Sequence, residues 1–327
     1  EIDLIEEICR LHGIDQIPAT PPRGCIGENE FDSIHDDIAE VRRILTGIGL
    51  DEAQGQTLIS DTSAQLVADE FVGLEHPLSN DMDVLRPSLL PGLLDSLRNN
   101  FTHQNHDLAL FEIGRVFEAD MKECRKLGIA IAGRRQREDA KLDAADLKGI
   151  IEQLLERIGV FGVNYQRREA GTNLFLESAE LKMGKNVIGQ MGQLLPVLGK
   201  EYESRDAVFL AELNLEMLLE RRTTNKSFKP LPKYPAIERD VAMLVAESVT
   251  HAEVLVVVKK TKAANLVDTE LFDVFRGQNV PGGQKSLAYS FTYRSTEKTL
   301  TDEEINGAHE SLVVAFKEQL DAMIRDN

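Results

Sequence analysis

Three carboxylates at the head of the sequence have a spacing that could do chemistry. Asp3, Glu6 and Glu7 in EIDLIEEICRL stand at i, i+3 and i+4 of a helical pattern, so they can converge on one point beside the helix. Crowded negative charges are mutually unfavourable unless a cation or basic side chain joins them, and an all-oxygen set of this kind suits Mg²⁺. Taken alone, the pattern is equally that of an acidic helix face in solvent, backed by Ile2, Ile5 and Ile8, and this is the plainer reading. His103 and His106, three apart, could offer two imidazoles to a metal. No cysteine or third histidine lies near them, and the surrounding Asn and Gln describe a polar helix end instead. Gly277, Gly282, Gly283, Lys285 and Ser286 have the composition of a phosphate loop, but such a loop sets Lys directly after its second spaced glycine and then opens a helix. Here Gln284 intervenes and a strand pattern follows, so the stretch reads as a turn. The sequence contains no HExxH, GxSxG or dinucleotide fingerprint.

Bulk properties narrow the field. At 327 residues, 42% hydrophobic and 28% charged, the chain has the composition of a globular protein with core enough for two domains. A net charge of −18 argues against a generic nucleic-acid coat, because nonspecific phosphate binding needs clustered Lys and Arg. Any nucleic-acid contact is therefore local. The one basic stretch is Arg221, Arg222, Lys226, Lys229, Lys233 and Arg239, opposed only by Glu238, and a solvated linker is its plainer reading. Cys9, Cys25 and Cys124 are widely spaced and form no CxxC pair, which fits a reducing, cytoplasmic setting. No apolar run approaches the roughly 18 residues of a membrane span. The sequence opens at Glu1 inside a helical pattern, as a segment of a longer protein would.

The elements that must position these residues can be read along the chain. Pro18 to Gly27 is a crossing rich in Pro and Gly, after which Ile34, Ile38, Val41, Leu45 and Ile48 repeat at helical spacing. From His76 to Phe117 the pattern is strand (Met82 to Arg86), turn (Pro87), helix (Gly92 to Asn100) and strand (Leu108 to Phe117). In the last of these Glu112 and Gly114 interrupt one side, which predicts a strand covered on its other side only. Lys126 to Gly133 reads as a strand and Ala145 to Val160 as a helix. Glu180 to Met191 and Ala207 to Leu213 read as further strands, and Leu215 to Arg221 as a short helix. Pro230, Pro232 and Pro235 mark a boundary. Beyond it come a strand at 239–246, a capping box (Thr250 with Glu253) opening a helix, strands at 265–276 and 286–294, a second box (Thr301 with Glu304), and a last strand at 322–325. The order βαββαβ predicts a ferredoxin-like split fold.

Several runs resemble one known family. PLSNDMDVLRPSLLPGLL at 77–94, LFEIGRVF at 110–117 and DLKGIIEQLL at 146–155 look like the synthetase-like core of the bacterial phenylalanyl-tRNA synthetase β subunit. KPLPKYPAIERDVAMLV at 229–245, LFDVFRG at 271–277, GGQKSLAYSFTYRS at 282–295 and TLTDEEINGAHE at 299–310 look like its anticodon-binding domain. The resemblance implies an α+β protein: a class II synthetase-like antiparallel sheet with flanking helices over 23–228, without catalytic residues, then a ferredoxin-like domain over 229–327. Residues 1–22, through DLIEEICRLHGIDQIP, would close a magnesium-associated module in which Asp3, Glu6 and Glu7 match the carboxylate ligands. A further aspartate of that pattern lies upstream of Glu1, so the Mg²⁺ site would be incomplete.

The implied partners are the α subunit, in an α2β2 heterotetramer, and tRNA(Phe). ATP would be used by α, and any editing site would lie upstream of Glu1. A free-standing ligase would need arginines to hold ATP phosphates, and Arg86 and Arg115 are the candidates in the central stretch. The other alternative is a stand-alone RNA-binding protein. For RNA contact, Leu287, Tyr289, Phe291 and Tyr293 share one side of their strand and are expected to face the helices as core. The opposite polar side, with Arg239, Arg276, Lys285 and Arg294, is then expected to meet RNA.

Overall fold

The computed structural model describes residues 1–21, 23–24, 33–134, 140–169, 171–223, 228, 230–277 and 280–325. The chain forms two compact units, Glu1–Lys226 and Ser227–Asn327.

In the first unit, α1 (Ile2–His12) buries none of its residues. The apolar stripe of α2 (Ile34–Gly47) buries Ile38, Val41, Ile44 and Leu45. Then follow β1 (Asp51–Glu52), β2 (Leu58–Ile59), α3 (Asp61–Gln65), β3 (Val84–Leu85), α4 (Leu90–Thr102), β4 (Leu108–Phe117), β5 (Glu123–Ala132) and α5 (Ala144–Ile158). The unit ends with β6 (Val163–Arg167), β7 (Phe175–Met183), β8 (Asn186–Leu194), α6 (Pro196–Glu201), β9 (Val208–Asn214) and α7 (Leu215–Glu220). Seven strands form one sheet in the order β1-β4-β5-β9-β8-β7-β6, antiparallel except for β1 against β4.

Alternation divides this sheet's side chains between two cores. Phe111, Leu127, Ile129 and Ile131 pack with α2 and α5, whereas Leu108, Leu110, Ala130 and Ala132 pack with Leu93, Leu94 and Leu97 of α4. β4 is thus covered on both sides over its first half, not on one as its alternation predicted, because α4 folds back onto the side that carries Glu112. Three further differences concern strand pairing. β3 pairs with β2 in a separate ribbon and not with the main sheet. The stretch read as one strand from Glu180 to Met191 is a hairpin, turning at Gly184 (φ 63°) between β7 and β8. β6, too polar to stand out in the sequence, pairs with β7 at the edge.

The second unit runs β10 (Ile237–Ala246), α8 (His251–Thr261), β11 (Leu266–Phe275), β12 (Gln284–Tyr293), α9 (Asp302–Leu320) and β13 (Met323–Arg325). Its sheet, ordered β11-β12-β10-β13 and antiparallel throughout, is the ferredoxin-like arrangement that the sequence predicted. Thr250 and Thr301 form the two expected capping boxes. Leu287, Tyr289, Phe291 and Tyr293 are at most 3% exposed and pack with Val254, Val257, Leu312 and Phe316 of the helices. β11 lies at an edge, and its register against β12 shifts twice, between Leu266 and Asp268 and between Leu271 and Asp273.

Candidate functional site

In the first unit the chemistry-bearing residues of the central stretch meet in a cleft of about 590 Å³ lined by Arg42, Glu52, Gly55, Arg86, Glu112 and Arg115, among others. Arg86 follows β3 and Glu112 lies mid-way along β4, so the turn between ribbon and helix sets one beside the other. Their side chains are 8% and 3% exposed, with Arg86 Nη1 2.6 Å from Glu112 Oε1. Arg86 Nε also donates to the Arg115 carbonyl at 2.9 Å, and Nη1 to the Gln56 carbonyl at 3.4 Å. Gly114 makes this possible: a Cβ there would lie 2.3 Å from Arg86 Nη2. A second buried carboxylate, Glu212 on β9, accepts from Ser88 Oγ (2.7 Å) and Leu89 N (2.8 Å) at the start of α4, and pairs with Lys126 at 2.8 Å.

The arginines at the rim of the cleft are also engaged, Arg42 with Glu52 at 2.6 Å and Arg115 with Glu123 at 2.9 Å. The two arginines on which a free-standing ligase would depend are therefore each held by a carboxylate of their own chain. Arg86 in addition ties the Gln54–Thr57 segment to β4. Such an arrangement fixes the scaffold, since Nε and Nη1 of the buried Arg86 are committed to Glu112 and to two backbone carbonyls. The sequence showed Glu112 only as a polar break in an apolar strand. Its isolation there, with a lone Arg after another strand, was the available signal for a buried pair.

The acidic triad does not assemble. Asp3, Glu6 and Glu7 are exposed on α1, Glu7 is bonded to Arg10, and among the described residues no three His, Cys, Asp or Glu side chains could hold a metal ion together. The three carboxylates of this chain thus form at most part of a ligand set, as expected where a further aspartate of the pattern lies upstream of Glu1. His103 Nδ1 lies 2.7 Å from the Asn99 carbonyl at the end of α4, while His106 stacks on Phe101 at 5.8 Å, so the two imidazoles serve the helix terminus. In the basic stretch, Arg222 is paired with the buried Asp37 of α2, and Lys226 and Lys229 lie outside the described residues.

In the second unit the four predicted RNA-contact cations are dispersed. Arg239 pairs in register with Phe291, so it lies on the helix-covered side, where Nη2 donates to Asp302 of α9 at 2.8 Å. Arg276 donates to Glu247 Oε1 from Nε (3.0 Å) and Nη2 (2.7 Å), and this hydrogen bond holds the Glu247 carboxyl below its usual range. Lys285, 9% exposed, donates to the Glu247 carbonyl at 2.9 Å. Arg276 and Lys285 thus meet at one turn, whereas Arg294 follows the far end of β12.

The polar side of β12 also differs from what its sequence predicted. Register places Asp268, Glu270 and Asp273 of β11, and Glu238 and Asp240 of β10, beside Thr292, Ser290 and Ala288. The uncovered side of the sheet is bordered by carboxylates, a feature invisible until strands distant in sequence are paired.

Comparison with known proteins places this geometry. Residues 17–215 match the family described as phenylalanyl tRNA synthetase beta chain CLM domain, and residues 232–325 match the ferredoxin-fold anticodon binding domain. The chain is 33% identical over 338 residues to the phenylalanine–tRNA ligase beta subunit of Lactiplantibacillus plantarum, covering 99% of this chain and 42% of that protein. It is 34% identical over 339 residues to the corresponding subunit of Bacillus licheniformis, with the same coverage. The chain therefore spans about two-fifths of the length of these relatives. Among solved structures, a Desulfitobacterium hafniense pyrrolysyl tRNA synthetase aligns with a TM-score of 0.48 at 15% identity, over 65% of this chain and 72% of that one. With one family's core and an anticodon-binding domain matched in series, and a relative 33% identical along 99% of the chain, the chain belongs to the phenylalanyl tRNA synthetase beta chain family.

Proposed function

We propose that this chain is a non-catalytic β-subunit portion of phenylalanine–tRNA ligase, packing on the α subunit and docking tRNA(Phe) for aminoacylation in the cytoplasm. In this reading residues 23–228 are the supporting core and 229–327 the RNA-binding domain. Residues 1–22 are the end of a magnesium-associated module. ATP, Mg²⁺ and phenylalanine are handled by α within an α2β2 assembly. The observation that carries the reading is the Arg86–Glu112 pair, which commits the scaffold's buried guanidinium to structure inside a family-matched core. Of the four cations, Arg276 and Arg294 are the proposed RNA contacts, with Arg239 and Lys285 holding the fold around them.

Co-expression with a phenylalanyl-tRNA synthetase α subunit tests this. The expected result is a joint complex by affinity capture and gel filtration that retains tRNA(Phe). A chain that elutes apart from α and catalyses ATP–pyrophosphate exchange alone would overturn the proposal.

A further inference from the structure

The second unit contains two phenol–imidazole pairs that join its helices to one strand. Tyr289 and Tyr293 of β12 are both 0% exposed, and a buried phenol needs a hydrogen-bond partner. Tyr289 Oη lies 2.8 Å from Nδ1 of His251, in the first turn of α8, and Tyr293 Oη lies 3.1 Å from Nδ1 of His309, mid-way along α9. His251 is exposed, so water can reach its pair, whereas His309 is half-buried, edge-on to the rings of Tyr293 (6.0 Å) and Phe291 (5.9 Å).

Satisfying the Tyr293 hydroxyl fixes the tautomer at His309. The phenol hydrogen needs an acceptor, so Nδ1 accepts and the neutral ring carries its proton on Nε2. A second proton would have to go to Nδ1. That reverses the bond: Nδ1–H would donate to the phenol oxygen, and the phenol hydrogen would have to turn away from His309 on a side chain that is 0% exposed.

We propose that the His309–Tyr293 pair is a proton-sensitive latch that holds α9 on the sheet when His309 is neutral and loosens it when His309 is protonated.

The charges around the ring fit this. Arg239 of β10, itself held by Asp302 at the start of α9, opposes a second cation at His309, and Asp240 of the same strand offsets it in part. Burial first, and then Arg239, depress the basicity of His309 below its ordinary 6.5. The same burial pushes the Tyr293 phenol up to about 12, so it keeps its proton throughout the relevant range. A histidine whose folded value lies below its unfolded one contributes stability that is complete above 6.5 and is lost as pH falls from there through the folded value. Within that window the loss reaches up to about tenfold in the local opening equilibrium per pH unit.

The full chain carries seven histidines, few enough for one labelled sample. Imidazole NMR titration, with the His309 resonance assigned by its loss in His309→Gln, is combined with hydrogen exchange of α9 between pH 7.5 and 5. The expected result is a His309 midpoint below 6.5 and protection of α9 that falls in step with it, after correction for intrinsic exchange. In His309→Gln the pH-dependent fall disappears, and in Tyr293→Phe, which removes the stranded hydroxyl, the midpoint moves back toward the ordinary value. A midpoint at or above 6.5 in the wild type would overturn the latch. So would an unchanged fall in α9 protection in either variant.

Discussion

Replacing Arg86 separates support from nucleotide binding. In Arg86→Ala the buried Glu112 loses its ion pair at 2.6 Å, the Arg115 carbonyl loses a donor at 2.9 Å, and a carboxylate only 3% exposed is left without a counter-charge. Breaking a buried pair from one side costs about 3–5 kcal/mol, a large fraction of the roughly 5–15 kcal/mol that holds a domain together. Arg86→Met combined with Glu112→Gln removes both charges and should recover a good part of that loss. The assay is urea unfolding followed by circular dichroism, since the chain has no tryptophan to report. It is run beside ATP binding by equilibrium dialysis on the same proteins. The reasoning predicts a lower midpoint for the single variant, partial recovery in the double one, and no ATP binding to be lost in either. Unchanged stability in Arg86→Ala, together with loss of measurable ATP binding, would refute it and make Arg86 a nucleotide ligand.

Other outcomes follow from the same geometry. Gly114→Ala should destabilise the first unit and displace Arg86, because the new methyl would sit 2.3 Å from Nη2 and 3.0 Å from Leu89 Cδ2; thermal unfolding compared with Gly47→Ala, where nothing lies within 4 Å, gives the measure. Thr250→Ala and Thr301→Ala each remove an N-cap acceptor and should cost about 1 kcal/mol in urea titrations of the second unit. Glu253, held below its usual 4.5 by the Thr250 backbone and hydroxyl, supports the α8 cap above that value, and the support is lost as pH falls through its lower folded value; an acid unfolding curve of Glu253→Gln should be flatter there. Arg294→Ala should reduce the salt slope of tRNA binding by about 1, whereas Lys285→Ala should lower stability and leave the slope unchanged, as titrations at several salt concentrations would show.

What the sequence disclosed depended on the range of the interaction concerned. The α2 stripe, the two threonine capping boxes and the order of the ferredoxin-like unit are written within a few neighbouring residues, and each was legible. The aromatic side of β12 was assigned correctly to the core because two helices must cover one side of a four-stranded sheet. Pairings between distant segments were not legible. Nothing near Arg86 in the chain announces Glu112, 26 residues on, and nothing near Ser290 announces Glu270 and Asp240 on either side of it. The turn at Gly184 was missed because MGKN is short and the apolar pattern resumes directly after it. The acidic spacing on α1 was read correctly as one side of a helix, but periodicity alone could not tell that Glu7 turns to Arg10.

The two register shifts in β11 bear on how the second unit behaves in a crowded solution. An outer strand normally offers an even row of amides and carbonyls that another copy could extend, which is the route to stacked aggregates. Interruptions at Leu266/Asp268 and Leu271/Asp273 spoil that row, and Asp268, Glu270 and Asp273 add mutual repulsion between like chains. The long rim can therefore stay uncovered while remaining a poor template for a second copy of itself.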